Sequence, residues 1–201
     1  MLSLLMAGTM SVCISGGDVW AENTVKLTSD TVYNVIGEIP ASIEMNGHNI
    51  ISNVMLNADN AGLSIIGTDM ENLTINGEGL QFAVAAQSSS NAKVLISNVK
   101  KVDITGNVTN DSLLHSNING AIIFDKVGLF NITTEKSIGL HAQGGLIYID
   151  ADAVSIKSKD ENAIWAQLSN CSGDYPSDVK IKSSGDITLQ STSSTAVGAA
   201  N

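Results

Sequence analysis

The sequence predicts an all-β fold: a single-stranded parallel β-helix, or solenoid, of about seven coils with three short strands per coil. Three observations predict it. Five times, two short apolar strands start eight residues apart, at Ile65 and Leu73, Val94 and Val102, Ile122 and Phe130, Leu146 and Val154, and Val179 and Ile187. Each trailing strand carries a second apolar residue two positions on: Ile75, Ile104, Ile132, Ile156 and Leu189. Successive starts are 29, 28, 24 and 33 residues apart, so the strands recur while the loops between them vary. Self-similarity of this kind means stacked units, because one unit cannot bury its own apolar face.

The first element, residues 1–21, reads as a secretory signal segment. Residues 2–14 are apolar apart from small residues, and too short to cross a bilayer as a helix, which takes about 20 residues. Val19-Trp20-Ala21 supplies a small-residue cleavage pattern after Ala21. No Lys precedes Lys26, so the basic start of such a signal is missing. Either the true start lies upstream or the chain is a fragment; the alternative is a buried N-terminal apolar segment. Cys13 falls in this segment, which leaves Cys171 as a lone thiol and implies no disulfide framework.

Residues 22–62 read as atypical leading coils. Val25/Leu27, Val32/Val35, Ile43/Met45 and Val54/Leu56 alternate irregularly, as terminal repeats do. Residues 63–201 read as regular coils, incomplete at the C-terminus. Their middle strands alternate cleanly: Leu73/Ile75 flank Thr74, Val102/Ile104 flank Asp103, and Phe130/Ile132 flank Asn131. A period of two sends the apolar set inward and the polar set outward. Third strands follow at Phe82, around Leu113 and Leu114, and at Ile138, Ala163 and Ala196. First strands are apolar on both faces. With Ile65, Val94, Ile122 and Leu146 inward, Ile66, Leu95, Ile123 and Ile147 form an outward stripe, either covered by a loop or serving association.

Composition agrees with this architecture. Aromatic residues are 4% against 43% hydrophobic, so burial rests on Val, Ile, Leu and Ala. The net charge is −10 and there is no Arg, which disfavours nucleic acid as a partner.

An apolar leader followed by acidic, Arg-free, Asn/Ser/Thr-rich strand repeats resembles the passenger region of bacterial autotransporters, a pectin-lyase-like group. The wording of Val102-Asp-Ile-Thr-Gly-Asn-Val-Thr and Gly185-Asp-Ile-Thr-Leu-Gln-Ser is similar to such passengers. The resemblance implies a right-handed coil and export to the extracellular or outer-membrane surface of a diderm bacterium. It also implies a translocator barrel outside this chain, so residues 1–201 read as the N-terminal piece of a longer protein. The expected function is an adhesin or adhesin stalk, with a host-cell or bacterial surface component, or a second copy, as partner. The alternatives are a carbohydrate-degrading enzyme of the β-helix class or a structural spacer.

For the enzyme, the arginine base that β-helical lyases share has no counterpart here. A hydrolase needs converging carboxylates. Asp150 and Asp152, beside a coil bearing Asp125, are the candidates and read as a solvated turn pair. His48, His115 and His141 share no metal-ligand spacing with one another or with Cys171, and His141 reads as an outward surface residue. No catalytic, metal or cofactor site is expected. Residues 107–111 read as merely polar. The triplets starting at Asn72, Asn107, Asn110, Asn131 and Asn170 read as chance products of Asn- and Thr-rich strands. The longest inter-strand segment, residues 169–178, is the candidate contact loop, with Asn170, Cys171, Asp174 and Tyr175 at its centre.

Overall fold

The computed structural model describes residues 24–58, 62–87, 92–167 and 177–200. Every regular element among them is a strand. The leading strands are three residues long: β1 Thr24–Lys26, β2 Thr31–Tyr33, β3 Ser42–Glu44, β4 Ile50–Ser52 and β5 Leu56–Ala58. The body follows with β6 Leu63–Ile66, β7 Asn72–Asn76, β8 Val84–Ala86, β9 Lys93–Thr105, β10 Ser112–Asn117, β11 Ala121–Thr134, β12 Ile138–Gln143, β13 Leu146–Ser158 and β14 Ile164–Gln167. The closing strands are β15 Asp178–Ser183, β16 Ile187–Ser191 and β17 Val197–Ala200.

These strands stack as a parallel β-solenoid, as the repeat pattern predicts. One sheet runs β1-β3-β6-β9-β11-β13-β15, with β2, β4, β7 and β16 pairing alongside; a second runs β5-β8-β10-β12-β14-β17. All the pairings between these strands are parallel. The regular body is about four turns, starting at β6, β9, β11 and β13, rather than the expected seven. Shorter strands flank it on the N-terminal side and a half-exposed turn on the C-terminal side.

Inward side chains stack in columns, one rung per turn. Ile43, Ile65, Ile96, Phe124, Ile149 and Ile181 form one. Ile50, Leu73, Val102, Phe130, Val154 and Ile187 form another. The second of these joins the five trailing-strand starts in the predicted register. Third strands stack as Leu56, Val84, Leu114, Leu140, Ile164 and Val197. Aliphatic columns of this kind fill the interior with few rings; Phe124 and Phe130 meet edge to face at 4.7 Å across one corner.

The first-strand column differs from the prediction. It joins Leu63, Val94, Ile122, Ile147 and Val179, not Ile65 and Leu146. The corner between first and second strands explains the shift. In β11 the corner holds Asp125 and Lys126, with Lys126 at φ 54°, and Asn98 takes the same left-handed role in β9 at φ 53°. Between Phe124 and Val127 the pairing with β13 is irregular, because only Asp150 separates Ile149 from Ala151 opposite those two residues. One residue fewer reverses the side to which every preceding side chain of that strand points. Ile147 is therefore fully buried, and Tyr148 takes the outward rung opposite Ile123 and Leu95.

Tight approaches between turns fix the remaining corners. A Cβ on Gly120 would collide with the Ala86 carbonyl oxygen and stand 2.9 Å from that of Asn117. Gly120→Ala is expected to lower stability by about 1–3 kcal/mol, read as the urea midpoint; an unchanged midpoint would mean that the turns separate freely there.

Candidate functional site

On the second sheet, period-two alternation turns Leu114 and Leu140 inward and their neighbours His115 and His141 outward. Both histidines stay buried, at 5% and 4% exposure. Register sets them directly opposite each other on adjacent turns, between Ala85 and Trp165 in the same outward column. Their rings meet edge to face at 5.0 Å, and Phe82 stacks on His115 at 4.6 Å. Asp111, just ahead of β10, completes the group. Its Oδ2 lies 2.7 Å from His141 Nδ1 and its Oδ1 lies 3.7 Å from His115 Nδ1. Ser112 Oγ donates to Asp111 Oδ1 at 2.9 Å.

Electrostatically this is a stabilised anion between two rings. Partial burial by itself would raise the Asp111 pKa. The hydrogen bonds from His115 and His141, the charge of His141 and the Ser112 hydroxyl outweigh it and hold the carboxyl well below the usual range. One atom is left over. His141 Nε2 is buried and has no hydrogen-bond partner among the described residues. An unsatisfied buried nitrogen costs about 1–3 kcal/mol, so the ring is held there against that cost. The Asp111 carboxylate is nearly half exposed and opens to a shallow cleft of about 400 Å³ lined by Phe82, Gln87, Asn110, Asp111 and His115. One ligand atom from each of Asp111, His115 and His141 lies within 4.8 Å of the others, a donor set suited to a metal ion.

This arrangement corrects three expectations. His141 faces outward but is not a surface residue. His115 and His141 do form a potential ligand pair, at a spacing of one coil rather than within a local motif. The stretch read as merely polar contains Asp111, and also Asn107, whose Oδ1 accepts from Thr134 Oγ1, Glu135 N and Lys136 N while its own N–H donates to Glu78 Oε2. Two triplet asparagines likewise bridge turns: Asn72 donates to Asn49 Oδ1, and Asn131 Nδ2 donates to Asp103 Oδ1 at 2.7 Å.

No family model, curated protein or solved structure matches this chain.

The other predicted positions are distributed as follows. Asp150 forms an ion pair with Lys182 at 2.6 Å and accepts from the Tyr148 hydroxyl at 3.4 Å. Asp152 is exposed and accepts from Ser184 Oγ at 3.0 Å. His48 lies 3.7 Å from Asp30, on the leading coils and apart from the other two histidines. Along the expected stripe, Leu95 and Ile123 are half-buried in one outward column, which Tyr148 continues and Lys180 ends. Ile66 is 38% exposed but stands opposite Ser97, off that column. Ile147 is inside. The candidate contact loop with Asn170, Cys171, Asp174 and Tyr175 lies outside the described residues, as does the signal segment.

Sequence reasoning also missed Glu71, which is 1% exposed. Its Oε1 accepts from Gly47 N at 2.6 Å and Thr68 Oγ1 at 2.8 Å. Its Oε2 accepts from Thr68 N at 2.7 Å and Met70 N at 3.1 Å. Its backbone oxygen accepts from Lys100 N on the following turn. Burial alone would raise its pKa, but these donors, Thr68 and Gly47 foremost, lower it to about 2. Glu71 is thus a structural clamp across three successive turns.

Proposed function

We propose that this chain is part of an exported bacterial surface rod that works as an adhesin or as the stalk of one. The observation that carries the reading is the unbroken parallel stack of seven strands over a filled aliphatic interior. Such a stack is stiff, because each turn is held by its neighbours along the whole column, and it presents repeated edges and loops outward. The acidic, Arg-free composition and the autotransporter-like wording of the repeats favour display on the outer surface of a diderm bacterium. The partner in this reading is a surface component of a host or neighbouring cell, or a second copy. Residues 170–175 and the outward column of Leu95, Ile123 and Tyr148 are the proposed contact regions.

The reading is tested by coating beads with the purified chain and counting attachment to cultured epithelial cells and to bacteria. Attachment above that of uncoated beads is expected, with a drop on deletion of residues 170–177. Equal attachment of coated and bare beads would remove the adhesin and leave the stalk.

A further inference from the structure

We propose that Asp111, His115 and His141 form a binding site for a single borderline transition-metal cation of the Zn²⁺ class. Each histidine would give one ring nitrogen and Asp111 one carboxylate oxygen, with water filling the open side toward the cleft. This goes beyond the surface-rod reading and does not depend on it.

Four observations carry the inference. The three donors already converge within 4.8 Å. Ligands about 2.0–2.2 Å from a tetrahedral Zn²⁺ stand about 3.3 Å apart, and the contacts of 2.7 Å and 3.7 Å from Asp111 to the two rings bracket that spacing. His141 keeps a buried nitrogen that no group among the described residues satisfies, while its other nitrogen lies against the Asp111 carboxylate. Finally, the donors differ in access: both rings are buried and fixed by Phe82 and the neighbouring turn, whereas Asp111 is open to solvent. A cation can thus enter from the cleft and meet ligands that need little reordering.

The charge balance also favours a cation. The chain carries a net charge of −10, which draws cations toward its surface. Imidazole ligands select Zn²⁺, Ni²⁺ or Cu²⁺ over Ca²⁺ and Mg²⁺, which prefer all-oxygen sets.

The test uses the full chain, stripped with chelator and titrated with ZnCl₂ by calorimetry, with CaCl₂ in parallel. One saturable Zn²⁺ site and no Ca²⁺ site are expected. Asp111→Asn should weaken Zn²⁺ at least about tenfold, and His115→Gln likewise. Because His115 is buried, its variant is checked by circular dichroism, and Asp111→Asn, at a half-exposed residue, serves as the independent variant. Nitrogen-15 spectra of the unaltered chain supply a readout without substitution: the His115 and His141 ring signals should shift with Zn²⁺ and that of His48 should not. Co²⁺ should give visible absorption bands of a four-coordinate nitrogen and oxygen site. Absence of binding would overturn the proposal. So would binding that survives Asp111→Asn and disappears in His48→Gln or Cys171→Ser.

Discussion

Ile147→Lys is expected to destabilise the chain by at least about 4 kcal/mol, enough to prevent folding, whereas Ile123→Lys should cost about 1 kcal/mol or less. The two residues stand in adjacent first strands and look equivalent by spacing. Their environments are opposite. Ile147 is fully buried in the column with Ile122 and Val179, where an ammonium would have no partner. Ile123 faces outward opposite Tyr148, and the next rung of that column is already Lys180. Urea unfolding followed by far-ultraviolet circular dichroism reads both. Similar midpoints for the two variants would place the corner of β13 one residue away from Asp150. Ile123→Lys also tests the outward column for self-association: an unchanged sedimentation profile would remove that column as a contact surface.

Glu71→Gln is expected to cost about 3 kcal/mol at neutral pH. On folding the donors lower the carboxyl pKa from 4.5 to about 2, and a tenfold change in proton affinity corresponds to about 1.4 kcal/mol. The substitution also sets an amide NH₂ against donors from Gly47, Thr68 and Met70, so a buried N–H must lose its acceptor. The sign of the pH dependence is fixed. A carboxyl depressed in the folded state contributes fully above its unfolded value near 4.5, and the contribution is gone once pH falls below about 2. The unaltered chain should therefore lose stability across that window. The Glu71→Gln chain should lose about 3 kcal/mol less over the same range. Parallel acid profiles for the two would show that Glu71 is not a clamp.

The trailing strands were legible because a polar residue stands between the two apolar ones. Leu73-Thr74-Ile75 and Phe130-Asn131-Ile132 admit only one phase, and both took it. The first strands lack such marks. Ile65-Ile66 and Leu146-Ile147 are apolar on both faces, so constant spacing was the only guide; it put Ile65 on the correct, inner side, but a corner shortened by one residue defeated it at Leu146 and Ile147. The histidine cluster was hidden for a different reason. Ligand spacing within a helix or hairpin is short, whereas a solenoid makes neighbours of residues one turn apart. The usable signal was the dipeptide Leu114-His115 recurring as Leu140-His141 at the same place in successive third strands. Glu71 carried no such signal, since its partners are backbone amides supplied by the shape of two corners.

The clamp at Glu71 joins two unequal lengths of structure. Before it lie strands of three or four residues; the long ones begin after it, with β9. Acid should therefore not melt the molecule evenly. Protonating one carboxyl releases the Gly47 corner first, and the thin leading turns fray and peel away while the later windings stand. A protease added at low pH should trim the chain from its beginning and stall near Leu63, leaving a shorter rod with the Asp111 group intact.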